Sequence, residues 1–165
     1  MPDPRAILAE LATLEASTVV DVGCGDGDLV RWLAGQGAQA IGVEVGEEPL
    51  RAARAAPPVA DERYELGGAE ALPLPDASAD VATFIQSLHH VPVELMDQAL
   101  AEVARVLRPG GLFVHETPVA QRLAHPIRSF GRTLPWGAVP ELVRDRAAVL
   151  WAGRRRVASP GPARA

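Results

Sequence analysis

The residues Val19-Val20-Asp21-Val22 form a compact apolar run that breaks at Gly23-Cys24-Gly25-Asp26-Gly27, and a helical pattern resumes at once with Leu29, Val30, Leu33 and Ala34. This strand, glycine turn and helix constrain the fold more than any other feature. In open α/β sheets the ligand sits beyond the carboxyl ends of the strands, where the strand order reverses, and the turn after the first strand lines that crevice. Glycine there permits positive φ and lets a ligand approach the backbone without a Cβ in the way. Three alternating glycines are an expensive way to build a mere tight turn, so the segment reads as a ligand-binding turn, with Asp21 both organising it and facing the ligand.

The rest of the chain repeats the alternation. Ile7, Leu8, Leu11 and Leu14 predict a short amphipathic helix over 5–15. Strands are expected at 38–43, 63–66, 80–85 and 112–115. A helix over 47–56 is stopped by Pro57-Pro58, and another, traced by Leu95, Met96, Ala99, Leu100, Val103 and Leu107, stops at Pro109-Gly110-Gly111. Strands separated by helices imply parallel units with right-handed crossovers, hence an α/β fold: a Rossmann-like, doubly wound, mainly parallel sheet with helices on both faces. Beyond Thr117 the pattern falls away. Pro118, Pro126, Pro135 and Pro140 interrupt every candidate element except a helix around 141–151, and 154–165 read as disordered. The division expected is a ligand-binding domain over 1–121 and a divergent basic segment over 122–165.

Charge supports that division. Residues 1–121 carry 19 acids against 7 arginines, whereas 122–165 carry 2 against 9, and lysine is absent throughout. An acidic body argues against nucleic acid as the main ligand. No apolar run is long enough to span a bilayer, and Met1-Pro2-Asp3-Pro4 lacks the character of a secretory signal, so no membrane association and a cytoplasmic location are expected. Cys24 is the only cysteine. It reads as a small packed residue and receives no chemistry, and no metal site is expected.

The glycine spacing narrows the ligand. A dinucleotide fingerprint requires G-x-G-x-x-G or A, but here the third glycine comes one residue early and the last position is Asp28. Asp26 and Asp28 would repel a pyrophosphate at the helix start, whereas a sulfonium and an α-amino group are cations that tolerate them. A P-loop is excluded because no lysine follows. Glu44 closes the second strand seventeen residues beyond Gly27, about where a carboxylate accepts both ribose hydroxyls in nucleoside-binding α/β folds. That feature suits a NAD enzyme equally, and only the glycine spacing and Asp28 disfavour one.

With these motifs the chain closely resembles the class I S-adenosylmethionine-dependent methyltransferases, in particular the ubiquinone/menaquinone-biosynthesis-like group acting on small molecules. The likeness rests on residues 19–28, on Tyr-Glu-Leu-Gly-Gly-Ala-Glu-Ala-Leu-Pro-Leu-Pro-Asp from Tyr64, on Leu88-His89-His90-Val91, and on Arg105-Val-Leu-Arg-Pro-Gly-Gly111. The resemblance implies S-adenosylmethionine as cofactor and methylation of a small-molecule acceptor by in-line displacement. It implies that Asp21, Gly23, Gly25, Asp26 and Gly27 frame the methionine half, Glu44 holds the ribose, Val45 packs on the adenine, Gly68 and Ala69 face the adenine edge, and Gln86 lies near the methionine moiety.

Two departures stand out. The family often has an acid or amide where this chain has Gly68, so a hydrogen bond to the adenine amino group is expected to be missing or taken by water, with weaker affinity. The family's sheet usually ends in an antiparallel strand hairpin, which 118–165 do not show, so that hairpin is expected to be absent or degenerate. A cofactor-binding or interaction module without turnover is therefore the alternative function, with a homo-oligomer or a capping partner completing the site, and a frameshifted or truncated C-terminus would produce the same pattern. His89 and His90 could serve as base, metal ligand or packing, and His90 is the candidate general base on the substrate side. Glu47, Glu48 and Glu70 read as solvated charges or helix-start acids, and Arg105 as a cation favourable to its helix dipole.

Overall fold

A computed structural model of the chain describes residues 3–116 and the backbone of 147–151. Along the chain lie α1 (Pro4–Leu11), β1 (Thr18–Val22), α2 (Asp28–Gly35), β2 (Gln39–Glu44), α3 (Glu47–Ala55), β3 (Arg63–Leu66), β4 (Ala79–Ile85), α4 (Met96–Val106), β5 (Leu107–Glu116) and β6 (Ala147–Trp151), with 3-10 turns at Leu88–His90 and Val93–Leu95. The strands form one sheet in the order β3-β2-β1-β4-β5-β6, and every pairing is parallel. The order runs outward in one direction from β1 to β3 and in the other from β4 to β6. The reversal between β1 and β4 opens a crevice at their carboxyl ends, which is where the glycine turn begins.

Parallel strands are covered on both faces and so carry apolar residues on both. One face packs Val20, Val22, Ile41, Val43, Ala82, Phe84 and Phe113 against Leu100, Val103 and Val106 of α4. The other packs Val19, Ala40, Val81 and Val114 against Leu8 of α1 and Val30, Leu33 and Ala34 of α2. Phe84 and Phe113 meet edge to face with centroids 5.7 Å apart. Each is essentially fully buried, a gain of roughly 1.5–3 kcal/mol per side chain. This two-sided core is the rigid base on which the crevice stands.

The observed helices and strands depart from the sequence expectations in three places. The helix expected around 141–151 is not observed at its C-terminal half: 147–151 form β6, pairing with β5 from Gly111↔Ala147 to His115↔Trp151, while 141–146 lie outside the described residues. Five apolar residues cannot distinguish helix from strand by period, and the open backbone edge of β5 offers hydrogen bonds that decide for strand. β6 runs parallel to β5. The expected disorder of 154–165 also falls outside the described residues.

The fifth strand starts at Leu107 rather than Leu112, because Pro109-Gly110-Gly111 forms an irregularity inside it. Ala79 pairs with Leu107 and Val81 with Leu112, so Asp80 stands opposite four residues, with Gly110 at φ +81°. Asp80 anchors the irregularity by accepting from Thr18 N (2.8 Å) and pairing with Arg108 (2.6 Å). Finally, α1 ends at Leu11, its start capped by Asp3, whose carboxylate accepts from Arg5 N at 3.0 Å. Leu14 is buried beyond the helix, in the connection to β1.

Candidate functional site

The turn after β1 is fastened to the end of β2: Gly23 N and Cys24 N both donate to Val43 O, at 2.8 and 3.2 Å, and Gly27 N donates to Cys24 O at 3.0 Å. All three glycines are left-handed, with φ of +77° at Gly23, +56° at Gly25 and +80° at Gly27. They differ in what surrounds them. A Cβ on Gly23 would lie 2.4 Å from Ser87 Cβ, and one on Gly27 would lie 2.6 Å from Tyr64 Cε1. A Cβ on Gly25 would meet nothing within 4 Å. Gly23 and Gly27 are thus demanded by packing, whereas Gly25 faces the open crevice.

Glu44 bridges the rim of that crevice. Its Oε2 accepts from Gly25 N at 2.9 Å and its Oε1 from Gly46 N at 2.8 Å, so one carboxylate ties the β1–α2 turn to the β2–α3 turn. The backbone of Glu44 also reaches the next loop, its carbonyl accepting from Gly67 N at 3.0 Å. Val45 follows with 72% exposure. Gly68 and Ala69 come next along the same loop. At Gly68, the carboxylate of Glu70 fills the space a side chain would take, 2.3 Å from an ideal Cβ. The Glu70 carboxylate thus lies where the Cβ of a larger residue at 68 would stand.

On the β4 side, Gln86 takes a left-handed conformation (φ +58°) with an exposed side chain. Non-glycine residues in that region are uncommon and cluster at functional sites. Ser87 then locks the β4 end to β1 by donating its hydroxyl to Val22 O. His90 is exposed at the end of the following 3-10 turn, its ring 4.0 Å from that of His89. Its imidazole takes no part in the hydrogen bonds that join the glycine turn, Glu44 and residues 67–69. Among the described residues no group of three or more His, Cys, Asp or Glu side chains could hold a metal ion, and no helix is long and apolar enough to cross a membrane.

The two acids beside the start of α2 are handled differently. Asp26 is exposed and its Oδ1 accepts from Asp28 N at 3.3 Å. Asp28 opens α2 and pairs with Arg5 of α1, so part of its charge is countered by a residue outside the turn.

Beneath the turn, Asp21 is 3% exposed and stands opposite Thr83 in the β1–β4 register, accepting from Thr83 Oγ1 at 2.7 Å. Burial pushes its carboxyl up from 3.8 to about 7; the Thr83 hydrogen bond opposes the rise and the nearby Glu44 charge adds to it. The folded chain thus holds a proton that the unfolded chain releases near 3.8. Stability consequently falls as pH rises from about 4 to about 7, and this contribution is constant above that. Asp21→Asn is expected to remove the dependence. Thermal midpoints of both proteins across this range should show the variant gaining on the parent as pH rises; a constant difference would contradict the assignment. Cys24, buried beside Asp21 and Glu44, has its thiol pushed up to about 12, chiefly by burial and then by those carboxylates, so it stays protonated and unreactive.

Sequence reasoning missed three supports. Thr83 is identifiable only through the register that sets it against Asp21. Tyr64 fills the space beside both Gly27 and Gly42, a Cβ on Gly42 lying 2.9 Å from Tyr64 Cδ1 and 2.6 Å from Cys24 Sγ. Ser87 is the third; its only signal was its place two residues beyond β4.

A methyltransferase-domain family model matches residues 20–115. The chain is 38% identical over 109 residues to a ubiquinone biosynthesis O-methyltransferase of Hahella chejuensis, covering 61% of this chain and 43% of that protein. It is 36% identical over 110 residues to the 27-O-demethylrifamycin SV methyltransferase of Amycolatopsis mediterranei, covering 63% and 40%. The crystal structure of an S-adenosylmethionine-dependent methyltransferase from Mesorhizobium loti superposes with a TM-score of 0.59 at 36% identity, covering 68% of this chain and 51% of that one. The matched region spans about two-fifths of the length of these curated relatives.

Proposed function

This chain belongs to the class I S-adenosylmethionine-dependent methyltransferases, and on that basis we propose that it methylates a small-molecule acceptor, with residues 1–121 as the cofactor-binding domain and 122–165 as a divergent basic segment that adds β6 to its sheet. The observation that carries the reading is the contrast at the turn: Gly25 alone opens on free space, directly beside the Glu44 carboxylate that its own N–H holds in place. A cradle that a Cβ would fill, rimmed by an acid, fits a nucleoside with a cationic tail.

In this reading Asp21, Gly23, Gly25, Asp26 and Gly27 frame the methionine half, with the exposed Asp26 carboxylate favouring its positive charge. Glu44 keeps lone pairs free after accepting from Gly25 and Gly46, and these take the ribose hydroxyls. Val45 offers an exposed apolar face to the base, Gly68 and Ala69 face its edge, and Gln86 projects toward the methionine end from a strained backbone. The bound cofactor supplies a methyl group already activated by the sulfonium, open to in-line displacement by the acceptor's nucleophile. What the protein adds is orientation, worth roughly 7–11 kcal/mol when complete, and a base where the acceptor must lose a proton. We assign His90 that role, as an exposed imidazole in the turn that follows Gln86 at the end of β4. A small-molecule acceptor is supported by the names of the two curated relatives, one acting in ubiquinone biosynthesis and one on a rifamycin.

Calorimetric titration with S-adenosylmethionine is expected to give saturable heat, and incubation with a panel of small hydroxylated acceptors to release S-adenosylhomocysteine. Absence of heat at millimolar cofactor would refute the reading. Binding without release across the panel would favour a cofactor-binding module instead.

A further inference from the structure

The loop from β3 to β4 contains Gly67-Gly68-Ala69-Glu70-Ala71-Leu72-Pro73-Leu74-Pro75-Asp76. It buries Leu72 and Leu74, at 4% and 9% exposure, yet its two prolines have no N–H to give to a strand ladder. Backbone groups drawn inward with those leucines need partners. One helix supplies them. Gln98, Glu102 and Arg105, spaced four and three residues apart, form a polar stripe on one side of α4.

The stripe engages every second residue of the loop. Gln98 Nε2 donates to Glu70 O at 2.9 Å, and Leu72 N donates to Glu102 Oε2 at 2.8 Å. The Arg105 guanidinium donates to Leu72 O at 3.0 Å, Leu74 O at 2.8 Å and Asp76 Oδ1 at 2.8 Å. Glu102 aligns that guanidinium through two bonds of 2.7 Å, a planar fork that lysine cannot reproduce. The other end of the loop is held by Gly67 N on Glu44 O at 3.0 Å. Residues 68–70 are thereby suspended between the acid at the crevice rim and the stripe on α4. The Glu70 carboxylate that fills the space over Gly68 belongs to the residue whose carbonyl Gln98 holds.

We propose that Gln98, Glu102 and Arg105 are positioning residues for the base-side wall of the cofactor site, setting affinity for the adenosine half through the loop they hold. The inference rests on the reading that Gly68 and Ala69 face the adenine. Without the stripe, the loop loses its second anchor and the wall must be ordered at the expense of binding free energy. The backbone bonds of Ala77 N to Arg105 O (2.9 Å) and Ser78 N to Val106 O (2.8 Å), with the buried loop leucines, would keep the segment near α4, so the fold survives while the wall loosens.

The test uses the full chain and two ligands, S-adenosylhomocysteine and 5′-methylthioadenosine, the second lacking the amino-acid half. Arg105→Lys, which keeps the charge but not the fork, is expected to weaken both by the same factor, about tenfold. Gln98→Ala, at an exposed position, is expected to weaken both about threefold with a thermal midpoint within about 2 °C of the parent. Unchanged affinities in both variants alongside a lowered midpoint would overturn the proposal, because the stripe would then serve only the fold. Loss confined to S-adenosylhomocysteine would overturn it as well, since the effect would travel through the amino-acid half. If the unaltered protein binds neither ligand, the functional reading itself fails and takes this inference with it.

Discussion

Glu44→Ala is expected to weaken S-adenosylmethionine binding by about a hundredfold and to lower the thermal midpoint of the ligand-free protein at the same time. The first effect follows from the proposed ribose contacts, two charge-assisted hydrogen bonds each worth roughly 1.5–3 kcal/mol before desolvation. A net loss of about 3 kcal/mol is a hundredfold in affinity. The second effect comes from the bridge already present: Gly25 N and Gly46 N lose their acceptor, and the two turns that frame the crevice are no longer tied. Because the site is only part-buried, water replaces much of what is lost, and the stability effect should be about 1 kcal/mol. Glu44→Gln separates the two roles. Its amide oxygen can still accept from one turn, but it offers neither the charge nor two acceptor atoms to the ribose. Calorimetry paired with thermal unfolding decides the matter: a lowered midpoint with parental affinity would make Glu44 a brace alone, and parental values of both would remove it from the site.

The parts of this site visible in the sequence are those that a single segment dictates. Strand, glycine turn and helix at 19–34 are read directly, since apolar run, positive-φ residues and helical spacing all lie within sixteen residues of one another. Glu44 is equally visible as the acid that closes a strand. What stays hidden is partnership across the sheet. Thr83 meets Asp21 across 62 residues and Tyr64 reaches Gly27 across 37, and a periodicity says which face a side chain occupies without saying what it touches. Arg105 shows the same limit. Its place in the last turn of α4 suits the helix dipole, which is how the sequence alone presents it, yet its bonds go to a loop more than thirty residues away. The strand at 147–151 was hidden for a different reason: its five residues carry no decisive period, and the edge of β5 that accepts them is not a property of the segment itself.

A large structural effect should come from Gly27→Ala, and the contrast with Gly25→Ala is what tests the function of the turn. At Gly27 the left-handed φ of +80° costs an alanine about 1–2 kcal/mol. The new methyl would also lie between 2.6 and 2.9 Å from two ring carbons and the hydroxyl oxygen of Tyr64. That ring is wedged against Gly42 as well, so it cannot withdraw without disturbing β2, and overpacking of this kind costs about 1–3 kcal/mol more. A fall in the thermal midpoint of about 6–12 °C is expected, with cofactor affinity lost because the turn is displaced. At Gly25 the φ of +56° carries a similar backbone cost, but the methyl meets no protein atom within 4 Å. Stability should therefore fall by only about 1 kcal/mol, while affinity falls at least tenfold because the methyl enters the space the ligand needs. Packing alone would leave binding in Gly25→Ala close to parental, since Gly25 is the glycine the fold can most easily replace. A Gly25→Ala protein that keeps parental affinity would show that the open space beside Glu44 is not where the cofactor lies.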